Sequence, residues 1–236
     1  MRETLALKTS DNRLIYGTLD SGNNKTVLIF VHGFTGNQDE HHYFNAVPFF
    51  IKNNCDTFRF NFYSRDVKAR HLTESSITTH TQDLKVVIDN FKDKYDELIL
   101  IGHSLGALVI LNTDVSDVSR LVLWDPTTPF KNIEEKGATF DPILNKYIFH
   151  WGIDFLVPMQ MLDEWISLDL NKLIEKVPIP CKLIFAGDSG KHELWKPYIN
   201  RFRIKHESVI IARATHGFIE EGTEQELFEE TLTWIK

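Results

Sequence analysis

Residues Glu97 to Leu111 read ELILIGHSLGALVIL, and this stretch decides the fold. Leu98, Ile99, Leu100 and Ile101 form the short apolar run of a strand buried on both faces. Gly102-His103-Ser104-Leu105-Gly106 follows, and Ala107 to Leu111 then continues as a stretch suited to a buried helix. A serine between two glycines at this spacing, with a strand before it and a helix after it, is the nucleophile-elbow pattern. The turn is tight, and side chains at Gly102 or Gly106 would meet neighbouring backbone, so both positions favour glycine. Such a turn exposes the Ser104 hydroxyl at one end of the sheet.

Working outward, the chain alternates between strand and helix patterns. Residues 3–20 read as a hairpin turning at Asp11-Asn12, and Thr26 to Val31 is a wholly apolar strand that ends in His32-Gly33-Phe34-Thr35-Gly36. A helix is predicted over Glu40 to Asn53, with Pro48 as an interruption or a first turn. Thr57 to Phe62 reads as the next strand. Leu84, Val87, Ile88 and Phe91 share one helical face, with Ser75 or Ser76 as the N-cap. Beyond the elbow come strands at Val118 to Trp124, Cys181 to Ala186 and Glu207 to Ala212, and helices around His192 to Phe202 and Glu221 to Ile235. The rhythm breaks between Asp125 and Pro180, where aromatic residues and prolines predict a mostly helical insertion.

The bulk composition narrows the function classes. The chain has 236 residues, 42% hydrophobic and 25% charged, in the range of one ordinary globular domain. A net charge of -7 with no Lys/Arg block argues against nucleic acid as a partner. No run is long enough to span a membrane, and the N-terminus lacks a signal-peptide core. Cys55 and Cys181 enter apolar strands, which predicts free core thiols and a reduced, cytoplasmic protein. No Gly-x-Gly-x-x-Gly follows the first parallel strand, so no dinucleotide cofactor is expected. His41-His42 has no accompanying Cys/His/carboxylate spacing and reads as a solvated helix start, with no metal site.

Alternating strands and helices predict an α/β architecture with a mostly parallel central sheet flanked by helices. Ligands of such sheets bind at the carboxyl ends of the strands. Those ends carry His32-Gly33-Phe34, Ser104, Asp125, Asp188 and His216. On His32-Gly33-Phe34, the Gly102–Gly106 elbow, Gly187-Asp188 and Thr215-His216-Gly217-Phe218, the chain resembles the α/β-hydrolase superfamily over essentially its full length. It looks most like serine esterases with a helical cap after the sixth strand, of the cinnamoyl and feruloyl esterase type. That resemblance implies a core of residues 1–125 and 180–236 and a cap of residues 126–179.

The resemblance also implies roles. Ser104 is the expected nucleophile and His216 its base, in the chain order Ser…Asp…His. The backbone N–H groups of Leu105 and Phe34 are the expected oxyanion donors. His103 is assigned a packing or supporting role. The acid departs from the pattern: the position three residues after the strand-ending glycine is Gly190, which has no carboxyl. Asp188 is the nearest substitute, Asp125 in Trp124-Asp125-Pro126 is its rival, and Glu193 or no acid at all are further alternatives. The expected activity is hydrolysis of a small-molecule ester with a short acyl or aryl-acyl group, with no cofactor. Thioesterase, amidase, peptidase or perhydrolase chemistry on the same residues, and a non-catalytic binding protein, are the competing readings.

Overall fold

The computed structural model describes residues 1–130, 133 and 137–236. Among the described residues, eight strands form the main sheet: β1 (Arg2–Lys8), β2 (Leu14–Asp20), β3 (Thr26–Val31), β4 (Cys55–Phe60), β5 (Glu97–His103), β6 (Arg120–Trp124), β10 (Cys181–Ala186) and β11 (His206–Ile211). Their spatial order is β1-β2-β4-β3-β5-β6-β10-β11. The first two ladders, β1 with β2 and β2 with β4, are antiparallel, and all others are parallel. The apolar runs in the sequence become its central strands because both faces are covered.

Successive residues of a strand point to opposite faces, and the core divides accordingly. Val27, Ile29 and Val31 of β3 pack with α2 (Ile77–Phe91) and α3 (Leu105–Leu111) through Leu84, Val87, Ile88, Ala107 and Leu108. Leu28 and Phe30 face the other way, toward α1 (His41–Lys52) and α7 (Thr223–Ile235), through Tyr43, Phe50, Leu227 and Phe228. Ser76 caps α2, its hydroxyl accepting from the Thr79 N–H at 3.1 Å. Pro48 lies inside α1 instead of interrupting it. Both cysteines are buried and free, and among the described residues no helix is long and apolar enough to cross a membrane.

The insertion between β6 and β10 differs from its helical expectation. It holds a three-stranded antiparallel sheet, β7 (Ala138–Asp141), β8 (Lys146–Trp151) and β9 (Ile153–Pro158), before α4 (Met159–Ser167) and α5 (Leu170–Glu175). Aromatic and β-branched side chains along KYIFHW and IDFLVP favour a pleated surface, and Gly152, at φ +79°, turns one strand into the next. Part of the expected insertion, 131–132 and 134–136, lies outside the described residues.

α3 approaches β3 closely at Gly106. A Cβ on Gly106 would overlap the carbonyl oxygen of Val31 and lie 2.7 Å from that of His32. Backbone cannot yield as a flexible side-chain tip can, so Gly106→Ala is expected to lower stability by about 2–3 kcal/mol. Urea denaturation of the variant beside wild type measures this, and an unchanged midpoint would refute the contact.

Candidate active site

The end of β5 positions the serine. Ser104 has φ 55° and ψ -117°, a conformation that side-chain-bearing residues adopt only where surrounding structure enforces it. The enforcement is visible in the backbone: the Ser104 N–H donates to Trp124 O at 3.1 Å. A Cβ at Gly102 would come within 2.8 Å of the Ala107 nitrogen, so the turn closes tightly on its own helix. The serine hydroxyl is thereby held at the carboxyl end of β5, half-buried.

His216 lies in the loop after β11, with its ring partly exposed. Its Nε2 is 3.0 Å from Ser104 Oγ. On the other side, Nδ1 is 2.6 Å from Oδ2 of Asp125. Since the carboxylate only accepts, Nδ1 carries the proton, and Nε2 presents a lone pair to the serine hydroxyl. A hydroxyl, an imidazole and a carboxylate in this order can move a proton off the serine and stabilise the imidazolium that results.

Of the two candidate aspartates, the structure brings Asp125, and not Asp188, to His216. Asp188 is exposed, and its backbone N–H donates to Ala214 O at 2.9 Å. Glu193 is on the surface, ion-paired to Lys196 at 2.6 Å. Asp125 is the carboxylate on His216, and the reason is sheet order. β6 lies between β5, which carries Ser104, and β10, so the residue following β6 emerges between serine and histidine. A backbone φ of +39° turns the chain there.

Asp125 is wholly buried and well satisfied. Its Oδ1 accepts from the Ala186 N–H at 3.1 Å and from the Ser189 hydroxyl at 2.8 Å. Burial works against the carboxylate, but the His216 hydrogen bond and the Lys191 charge outweigh it and hold the carboxyl below its ordinary value of 3.8. Lys191 has no counterpart in the sequence reading. Its Nζ lies 2.7 and 2.9 Å from the two ring nitrogens of His216 and 3.4 Å from Asp125 Oδ2. The available signal was Gly190, which marked a loop where the resemblance expects a carboxylate. That loop does reach the site, but it delivers a cation one residue later.

The remaining residues frame the serine. His32 accepts the Phe62 N–H at Nε2, 3.1 Å away, and donates from Nδ1 to Gly33 O at 2.8 Å. Burial holds its ring neutral, with a pKa lowered to about 4. This strut shapes the turn after β3, where a Cβ on Gly33 would lie 3.0 Å from Ser104 Cβ. Phe34 follows Gly33 in that turn, and Leu105, as the first residue of α3, has a backbone N–H without an intrahelical acceptor. The Phe34 ring packs edge-on against Phe149, Trp151 and Trp165 of the insertion at 5.2, 5.6 and 5.5 Å. His103, beside the serine, stacks on His216 at 4.4 Å and donates from Nε2 to the His216 carbonyl at 2.9 Å.

Fold and site together define a class. A model of the alpha/beta hydrolase family matches residues 28–203, and the chain belongs to that family. No curated protein sequence matches it. Among solved structures, it is similar to Est1E from Butyrivibrio proteoclasticus in complex with ferulic acid, at 15% identity, with a TM-score of 0.83 over 98% of this chain and 97% of the other. An esterase domain from Rhodothermus marinus superposes with a TM-score of 0.76 at 16% identity, covering 99% and 97% of the two chains. A dienelactone hydrolase from Anabaena variabilis gives 0.73 at 14% identity, over 100% and 96%. At these identities the likeness is one of fold.

The lowered acid has a pH signature. A carboxyl that ionises more readily folded than unfolded stabilises the fold fully above its unfolded value, and that stabilisation is lost as pH falls through the folded value. Asp125→Asn is thus expected to be about 1–3 kcal/mol less stable than wild type at pH 7. Chemical denaturation as a function of pH should show the gap narrowing in acid, below the ordinary 3.8. A gap that stays constant down to pH 2 would contradict the assignment.

Proposed function

We propose that this protein hydrolyses carboxylic esters through an acyl-enzyme on Ser104. The observation that carries the reading is the continuous pair of contacts from Ser104 Oγ to His216 Nε2 at 3.0 Å and from His216 Nδ1 to Asp125 Oδ2 at 2.6 Å. His216 removes the serine proton as Oγ attacks the ester carbonyl, forming the C–O bond of a tetrahedral intermediate. The negative charge on the former carbonyl oxygen is held by the Phe34 and Leu105 N–H groups. His216 then protonates the leaving alcohol as its C–O bond breaks. Water, deprotonated by the same imidazole, attacks the acyl-enzyme, and the acid departs with Ser104 restored. Asp125 remains ionised throughout, orienting the ring and stabilising its charged form.

The substrate side of the reading rests on the insertion, taken as a cap over residues 126–179. Its Phe149, Trp151 and Trp165 surround Phe34, one of the two proposed oxyanion residues. Aromatic walls beside the acyl carbon suit a short acyl or aryl-acyl group, and Est1E, which shares the fold, has been seen with ferulic acid bound. Thioesters and amides pass through the same intermediates, so competition between matched ester, thioester and amide substrates ranks them.

Hydrolysis of p-nitrophenyl esters of graded chain length is the test. Wild type is expected to favour short acyl chains. Ser104→Ala should abolish turnover and labelling by a fluorophosphonate probe, and Asp125→Asn should reduce kcat by about 10³–10⁴-fold. Asp188→Asn should retain wild-type rates. Absence of both turnover and labelling in wild type would favour a binding protein instead.

A further inference from the structure

Behind the serine turn, three side chains converge that the proposed hydrolysis does not use. Glu40 precedes α1, His42 is the second residue of that helix, and His103 ends β5. One nitrogen or carboxylate oxygen from each lies within 4.8 Å of the other two. Neither His41-His42 nor Glu40 suggested this in sequence, because His103 comes from another element. The two adjacent histidines also part company. His41 is exposed and meets Glu224 Oε1 at 2.9 Å, whereas His42 is only 2% exposed.

The polar atoms of this cluster are unusually poorly satisfied. Both ring nitrogens of His42 and Oε2 of Glu40 are buried without a hydrogen-bond partner. A neutral imidazole carries one N–H and one lone pair, and interiors rarely leave both unmet. His103 is oriented by its neighbour. Its Nε2 faces the His216 carbonyl oxygen at 2.9 Å, which can only accept, so Nε2 bears the proton and Nδ1 the lone pair. Imidazoles that bind metals are commonly held in this way, with the second ring N–H on a backbone carbonyl. Both His103 Nδ1 and Glu40 Oε2 border the turn from Gly33 to Gly36, where added Cβ atoms would lie 3.7 and 2.6 Å from them.

We propose that Glu40, His42 and His103 form a binding site for one divalent transition-metal ion of the zinc class. Two neutral imidazoles and one carboxylate are the donors such ions accept, whereas calcium and magnesium prefer oxygen alone. Ligands about 2.1 Å from a tetrahedral ion are about 3.4 Å apart. Closing the cluster from its 4.8 Å limit therefore takes a side-chain adjustment of about 1 Å or less. Three protein ligands leave a fourth position for water. The ion would meet the buried Glu40 and His42 atoms that now lack partners. It would also tie the turn after β3 and the start of α1 to the end of β5, on either side of Ser104. Its role is to brace that junction, and it is no participant in the acyl transfer.

The experiment uses untagged full-length protein, stripped with a chelator and titrated with Co²⁺ and then Zn²⁺. Expected are one equivalent of ion per chain, a visible Co²⁺ absorption band displaced by Zn²⁺, and a Tm rise of about 5–10 °C at saturating Zn²⁺. Ser104→Ala should bind as wild type does, so loss of the hydrolase reading would leave this one standing. Glu40→Gln, which keeps the side-chain shape, and His42→Asn should each weaken Co²⁺ binding at least about tenfold. His41→Asn should not weaken it. Wild type that takes up no ion, with no band and no Tm change, would overturn the proposal, and the cluster would then hold only water or a shared proton. Unaltered binding in Glu40→Gln would overturn it equally, by placing the ion elsewhere.

Discussion

The architecture of the site depends on the close approach of α3 to β3 at Gly106, where any side chain would collide with the carbonyls of Val31 and His32. That approach brings the first turn of the helix against the turn after β3. It sets Gly33 of that turn against Ser104, where an added Cβ would lie 3.0 Å from the serine Cβ. It also confines the serine to φ 55°, ψ -117°, a strain of order 1–3 kcal/mol that packing around the turn must hold. The apolar helix LGALVIL is buried along its whole length, so the strain is opposed by a large hydrophobic contact.

Parallel pairing then organises the rest. Strands β5, β6 and β10 end at neighbouring points, since Trp124 is in register with both His103 and Ile184. The residues one step further on β5 and β6, Ser104 and Asp125, are consequently side by side, and the end of β10 at Ala186 and the following Ser189 reach Asp125. Asp125 has its two oxygens divided between tasks: one is held by the Ala186 N–H and the Ser189 hydroxyl, the other by His216. A buried carboxylate so restrained cannot swing, and the imidazole it holds keeps one tautomer and one orientation.

Local features of the chain were legible in its sequence, and features created by packing were not. The elbow was readable because strand, glycines, serine and helix are contiguous, and His216 because it follows the last strand. The strand Cys181–Ala186 and a serine cap on α2, at Ser75 or Ser76 in the sequence and at Ser76 in the structure, were equally local. Asp125 and Asp188 both follow strands, and only the spatial order of those strands tells them apart. The hairpin of the insertion was hidden by an aromatic density that suits helix and strand alike, although Gly152 between two β-prone runs marked it. Glu40, His42, His103 and Lys191 acquire their significance from neighbours far away in the chain.

On the proposed mechanism, Ser104 becomes covalently acylated during turnover. Intact-mass spectrometry of protein quenched in acid during hydrolysis of a slowly deacylating aryl-acyl ester, followed by peptide mapping, tests it directly. Expected is a mass increase of one acyl group per chain, located on the peptide that contains Ser104 and absent from Ser104→Ala. Hydrolysis that proceeds unchanged in Ser104→Ala, or an acyl group on another residue, would contradict it.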